Sequence, residues 1–117
     1  MSQVPVEVSK LKKDIEKSFK KGNIQNAIEL CQSALLKHPT DADLHVKLGD
    51  LYMEWHLDIY QARQYIDEAI TEYQRALESN INPALAHYKI AFAFYLKGEM
   101  DKALNQINIS LKLIYLH

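Results

Sequence analysis

Five short breaks divide the sequence into six segments with the apolar spacing of α-helices, and this division most limits the possible folds. The breaks lie at residues 22–23, 38–40, 55–58, 80–83 and 97–98. Between them apolar residues recur every three or four positions, as at Leu11, Ile15 and Phe19, which is the stripe of a half-buried helix. The 3 glycines and 3 prolines are too few for many short strands. The pattern predicts an all-α protein of three consecutive helical hairpins.

Small residues recur at matching places in the three hairpins. Gly22 is followed five positions later by Ala27, and Gly98 is followed five positions later by Ala103. Further small or turn-forming residues stand at Ala34, Pro39, Gly49, Ala69, Ala76 and Pro83. Because small residues let two helices approach closely, this recurrence indicates one structural unit repeated along the chain.

These residues resemble the tetratricopeptide repeat, a helix–turn–helix unit of about 34 residues. The middle hairpin carries the clearest correspondence, at Leu48, Gly49, Tyr52, Ala69, Tyr73, Ala76 and Pro83. The resemblance covers residues 8–117 and implies a right-handed superhelix of three hairpins with six helices. The repeats are expected at about 8–41, 42–83 and 84–117, after a flexible N-terminal segment at residues 1–7.

The second repeat is longer than the family unit. The second and third repeats begin at Ala42 and Ala84, which are 42 positions apart, against about 34 in the family. The extra stretch lies after Tyr52, and its apolar residues Ile59, Ala62 and Ile66 continue the stripe that follows. We therefore expect the second hairpin to be elongated by about eight residues, a little over two helical turns, instead of carrying a long loop.

The resemblance also implies a concave groove lined by the first helix of each hairpin, where a peptide or helix of a partner protein binds. The groove positions are Lys12, Phe19, Val46, Asp50, Met53, Leu85, Tyr88, Phe92 and Tyr95. Tyr88, Phe92 and Tyr95 share one helix face because they stand at i, i+4 and i+7. This face either receives an apolar or amphipathic segment of a partner or is covered by the chain's own packing.

Repeat arrays normally end in a polar cap, whereas the last helix of this sequence is apolar. This difference suggests two other functions. Its apolar residues include Leu111, Leu113, Ile114 and Leu116. Copies of the chain could therefore associate into homo-oligomers through this helix or through the groove, as a structural self-assembly unit. Alternatively, the chain is an adaptor fragment of a larger multidomain protein.

Charge and hydropathy argue against nucleic-acid and membrane partners. The 14 basic and 15 acidic residues leave a net charge of −1, without the basic excess of a nucleic-acid-binding protein. The middle of the chain is acidic, and its carboxylates either form a solvated helix face or attract a basic partner. No apolar run is close to the length of about 18 residues that a membrane-spanning helix needs, and no secretory signal is apparent. We therefore expect a cytoplasmic protein.

Catalysis, metal binding and cofactors are not expected. Cys31 lies in an apolar helical stripe, which predicts a buried residue. His45 and His87 occupy equivalent positions in successive repeats, which predicts a role in helix packing, and no two histidines have the spacing of a helical zinc site. The sequence also has no glycine-rich phosphate loop and no nucleophile elbow. It therefore predicts a non-catalytic interaction module or scaffold.

Overall fold

The structure, a computed structural model, describes residues 6–55 and 59–115. This part of the chain contains six helices and no strand: α1 (Val6–Lys20), α2 (Ile24–Lys37), α3 (Ala42–Glu54), α4 (Ile59–Leu77), α5 (Pro83–Leu96) and α6 (Met100–Tyr115). Each helix packs against the next one along the chain. The molecule measures 42 × 40 × 21 Å, and the shortest dimension is that of two helix layers. The predicted all-α fold is confirmed.

Local interactions explain where the helices begin and end. The side chains of Asn23 and Asp41 accept hydrogen bonds from the backbone N–H groups of Asn26 and Leu44, which caps α2 and α3. Gly22 follows α1 with φ of +81°. A residue with a Cβ atom is strained in this left-handed conformation, so the turn of the first hairpin requires glycine.

The long second repeat has its additional residues in α4. This helix has 19 residues, compared with 14 in α2 and 16 in α6. Ile59 and Ala62 are helical, and Ile66 is buried in the core. Asn80 and Asn82, both with φ of 50°, form the turn to α5, which begins at Pro83. Part of the extra length, three to five residues by this comparison, therefore extends a helix. Residues 56–58 lie outside the described residues.

The first helix begins earlier than the sequence suggests. Val6 and Glu7, assigned above to the N-terminal segment, are the first two residues of α1. Glu7 also pairs with Lys37 at the end of α2. Helix ends are set by such local contacts, which the apolar stripe does not reveal. Residues 1–5 of the predicted segment lie outside the described residues.

Helices α3 and α4 approach each other closely at Gly49. A Cβ atom at this position would lie only 2.5 Å from Cε1 of Tyr73 and within 3 Å of two further atoms of the same ring. The ring itself is buried against the backbone of α3. Glycine is therefore needed here for space, and it sets the distance between the two helices of the middle hairpin.

Gly49→Ala is expected to lower the free energy of unfolding. Alanine favours a helix over glycine by up to about 1 kcal/mol, but the clash with Tyr73 costs about 1–3 kcal/mol. We expect a net loss of about 1–2 kcal/mol in chemical denaturation. Ser33→Ala, at an exposed position of α2, is the control and should change stability little. An unchanged or raised stability of Gly49→Ala would show that the helices can separate freely.

Cys31 is fully buried, as the sequence predicts. Its Sγ atom donates a hydrogen bond of 3.3 Å to the carbonyl oxygen of Leu44. Burial raises the pKa of the thiol from 9.0 to about 12, since the thiolate would lose its hydration. The residue thus belongs to the core that joins the first two hairpins.

The buried thiol predicts slow alkylation of the folded protein. At a pH near 9.0, half of the thiol groups ionise in the unfolded chain, but those in the folded chain stay protonated. Iodoacetamide should therefore modify Cys31 much faster in denaturant. Because only the unfolded state releases this proton between pH 9 and about 12, stability should fall with rising pH more steeply than in Cys31→Ala. Equal alkylation rates in buffer and denaturant would contradict the burial.

Candidate functional site

The first helices of all three hairpins enclose a cavity of about 550 Å³ on one face of the molecule. We call it the concave cavity and define it by five of its lining residues: Phe19 of α1, Asp50 and Met53 of α3, and Tyr88 and Phe92 of α5. Four of the five side chains are aromatic or apolar, and three separate hairpins contribute them. The cavity therefore exists only when the hairpins are stacked.

A polar network from three helices forms part of the cavity lining. Oδ1 of Asp50 accepts hydrogen bonds from the Tyr73 hydroxyl at 2.7 Å and from Nζ of Lys89 at 2.8 Å. Nζ of Lys89 also lies 5.9 Å from the centre of the Tyr73 ring, within the range of a cation–π contact. Burial raises the pKa of Tyr73, and the hydrogen bond to Asp50 raises it further. The network joins the second hairpin to the third.

Further charges make the cavity slightly acidic. Glu16 and Glu54 line it together with Asp50, whereas Lys47 and Lys89 supply the positive charges. Nζ of Lys47 lies 3.9 Å from Oε2 of Glu16, so this lysine is partly balanced by its neighbour. The lining thus carries three carboxylates against two ammonium groups.

Four of the nine predicted groove residues do not line the concave cavity: Lys12, Val46, Leu85 and Tyr95. The first three precede Phe19, Met53 and Phe92 by seven positions each, so they share a helix face with these residues but lie two turns, or about 10 Å, further back. Lys12 instead pairs with Asp41 and Asp43 at 3.2 and 3.3 Å, and Val46 packs against the buried core. The cavity lies on the helix face that the resemblance indicates, but it opens only towards the C-terminal ends of these helices.

The aromatic face of α5 is not covered by the described part of the chain. Tyr88, Phe92 and Tyr95 expose 54%, 49% and 54% of their surface. The rings of Phe92 and Tyr95 stack on each other with centres 6.4 Å apart. The described residues therefore leave about half of each of these three side chains accessible.

Tyr95 lies on a second apolar groove, between α5 and α6. This groove has a volume of about 430 Å³, and its lining includes Met100, Leu104 and Ile107 of α6. Tyr88 and Phe92 line it as well, so they form a wall between the groove and the concave cavity.

The predicted self-association residues do not all share one surface. Leu111 and Ile114 are exposed on α6, whereas Leu113 is half-buried on a different face of the helix. Leu116 lies outside the described residues. Helical spacing explains the separation, because Leu111 and Ile114 are three residues apart and Leu113 points elsewhere.

The histidines at equivalent repeat positions contact the second helix of their own hairpins. Nδ1 of His45 lies 2.7 Å from Oε1 of Glu72, and Nε2 lies 2.7 Å from the carbonyl oxygen of Pro39. Nδ1 of His87 lies 2.7 Å from Oε1 of Gln106. These bonds join α3 to α4 and α5 to α6, which is the packing role that the sequence predicts.

His45 and Glu72 also line a convex cavity of about 580 Å³, formed mainly by α2, α3 and α4. Arg75 donates a hydrogen bond of 2.6 Å to Oε2 of Glu72. Among the described residues, no group of three or more His, Cys, Asp or Glu side chains is arranged to bind a metal ion. None of the described helices combines the length and apolarity needed to cross a membrane.

Tyr73 and Lys89 are functional candidates that sequence reasoning missed. Tyr73 belongs to the second helix of its hairpin, which the resemblance assigns to the convex side. It reaches the concave cavity because Gly49 opens a path beside α3. The glycine was visible in the sequence, but the side chain that uses the space follows only from the packing of α3 on α4.

Comparisons with known proteins agree with this architecture. A family model described as TPR repeat matches residues 58–98. A MamA point mutant superposes with a TM-score of 0.74 at 20% identity, over 96% of this chain and 76% of that one. Human IFIT1, solved as a dimer with PPP-AAAA, superposes with a TM-score of 0.77 at 24% identity, over 86% of this chain but 24% of IFIT1. No curated protein sequence matches the chain.

These findings confirm the resemblance to the tetratricopeptide repeat family and the all-α fold of helical hairpins. The chain spans about a quarter of the length of IFIT1. Repeat proteins of this class present extended concave surfaces on which protein partners bind. The class defined by the fold is therefore that of helical-repeat proteins.

Tyr73→Phe tests the polar network of the concave cavity. The change removes the hydroxyl that donates to Asp50 but keeps the ring beside Gly49. A hydrogen bond to a partly exposed carboxylate contributes about 1–2 kcal/mol, so the free energy of unfolding should fall by that amount. Tyr115→Phe, at a tyrosine that is 76% exposed, should have no effect. Equal stability of the two variants would mean that the hydroxyl contributes nothing.

Proposed function

We propose that this protein is a non-catalytic protein–protein interaction module, or scaffold, that binds a peptide or helix of a partner protein in the concave cavity. One observation carries the proposal: apolar and aromatic side chains from three hairpins, Phe19, Met53 and Phe92 among them, converge on one cavity of about 550 Å³. This volume is within the range of ligand-binding clefts. The binding domain of this proposal comprises residues 8–117.

The lining favours a partner segment with at least one large apolar side chain. Phe19, Tyr88 and Phe92 provide flat aromatic surfaces, and Met53 provides a flexible one that adapts to different shapes. Burying such side chains is the main source of affinity in protein interfaces. An amphipathic helix or an extended apolar peptide would both supply them.

The charges favour a basic residue next to that apolar side chain. The carboxylate of Asp50 remains 45% exposed although its Oδ1 accepts two hydrogen bonds. Glu16 and Glu54 add negative charge along the same lining. A lysine or arginine of the partner would be attracted, whereas a carboxylate would be repelled. The acidic middle of the chain would also speed the approach of a basic partner.

The non-catalytic part of the proposal is supported by the way the reactive residue types are used. Cys31 is buried with a raised pKa, and both ring nitrogens of His45 are occupied by Glu72 and Pro39. These side chains stabilise the packing of helices. We place the protein in the cytoplasm because its single cysteine cannot form a disulfide within the chain.

A displayed library of random peptides, selected on the whole chain, tests the proposed function. Enriched peptides should share an aromatic or large aliphatic residue close to a lysine or arginine. Phe19→Ala and Met53→Ala should each weaken binding of a selected synthetic peptide by about 1–3 kcal/mol in calorimetry, because they remove anchoring surface. Asp50→Asn should weaken the binding of peptides that carry the basic residue more than the binding of the same peptides with alanine in place of the basic residue.

Ile81→Ala is the matched control, since Ile81 is an exposed apolar residue in the turn between α4 and α5. This variant should bind the selected peptide as tightly as the original chain. The proposal fails if the library yields no enriched peptide, or if Phe19→Ala and Ile81→Ala affect binding equally.

A further inference from the structure

The exposed side of α6 carries a regular apolar stripe that the concave cavity does not use. It consists of Met100, Leu104, Ile107, Leu111 and Ile114, with successive spacings of four and three residues. This spacing is the one by which a helix presents a continuous seam to another helix. We call these five residues the α6 seam. Four of the five side chains are 44–62% exposed, and Ile107 at the centre is half-buried.

The position of the seam in the fold indicates what kind of element would cover it. The seam borders the apolar groove between α5 and α6. At the equivalent places of the preceding hairpins, α3 packs on the first hairpin and α5 packs on the second. In the described part of the chain no helix occupies this place on the third hairpin. The surface is therefore suited to a helix with its own apolar stripe.

We propose that the occupant is a second copy of this chain, and that two α6 helices pair antiparallel through the α6 seam in a symmetric dimer. Head-to-tail stacking is disfavoured because the opposite end of the molecule is rich in exposed lysines: Lys10, Lys13, Lys17, Lys20 and Lys21. Placing them against the seam would remove charges from water without partners. The seam is instead complementary to itself, as a twofold interface requires.

The charged residues beside the seam favour the antiparallel orientation. Asp101 and Lys112 are both exposed and lie on the same flank of α6, six residues before and five residues after Ile107. A twofold axis near Ile107 would bring Asp101 beside Lys112 of the partner subunit, and symmetry would repeat the pair. Parallel pairing would place the flank that carries Asp101 and Lys112 on opposite sides of the interface in the two copies, so this attraction would be absent.

The available area is close to what a dimer needs. Seven large side chains on and beside the α6 seam are each about half exposed, and together they present on the order of 600 Å² of apolar surface per copy. They are Tyr88, Phe92, Tyr95, Met100, Leu104, Leu111 and Ile114. A stable interface buries about 800 Å² per partner, polar rim included. The dimer should therefore depend on concentration. The dimer can be tested separately from the proposed peptide binding, because seam variants leave Phe19 and Met53 intact.

Light scattering after size-exclusion chromatography, over a series of concentrations, tests the dimer. The mass should rise from 13.5 kDa for the single chain to twice that value. Leu104→Asp should raise the dissociation constant at least about tenfold, since it buries a charge in the seam. Asn105→Asp adds the same charge at an exposed position outside the seam and should dimerise normally. Circular dichroism verifies folding, and Leu111→Asp replaces Leu104→Asp if that variant unfolds.

Disulfide trapping tests the geometry separately. Ile107→Cys should form a covalent dimer under oxidising conditions, because the proposed axis places the two copies of residue 107 side by side. Cys31 is buried and should not react. Asn105→Cys, on another face of α6, should form little covalent dimer. A single-chain mass at every concentration, a dimer that survives Leu104→Asp, or equal trapping by the two cysteine variants would each overturn the proposal.

Discussion

The contact between Gly49 and the Tyr73 ring is the constraint on which the rest of the structure depends. Because Gly49 has no Cβ atom, α4 approaches α3 closely enough for the Tyr73 ring to lie against the backbone of α3. The Tyr73 hydroxyl then reaches Asp50, and Lys89 of α5 joins the same carboxylate. One glycine thus links the packing of the middle hairpin, its attachment to the third hairpin and the polar lining of the concave cavity.

The hairpins could be predicted from the sequence because their signals are local. A 3.6-residue apolar period and recurring small residues identify a helix and its packing face. The position of a cavity along that face is not local, since it depends on how neighbouring hairpins are stacked. This explains why Phe19, Met53 and Phe92 meet in the cavity while Lys12, Val46 and Leu85, two turns earlier, do not. Tyr73 was missed for the same reason.

Helix α5 serves two surfaces because it is apolar on nearly every side. Ala86, Ile90 and Ala93 face the interior, while Tyr88 and Phe92 separate the concave cavity from the groove beside α6. In the proposed dimer, a partner bound in the cavity and a second copy on the α6 seam would contact opposite sides of the same rings. Each event would then change the affinity of the other by the same factor, as linkage requires.

If the concave cavity is the surface on which partner proteins bind, nuclear magnetic resonance of the labelled chain, titrated with a library-selected peptide, should locate the peptide there. We expect the largest changes in amide and aromatic signals at Phe19, Asp50, Met53 and Phe92, with little change at Glu72 on the convex side. Changes concentrated around the convex cavity, or along α6 alone, would contradict it.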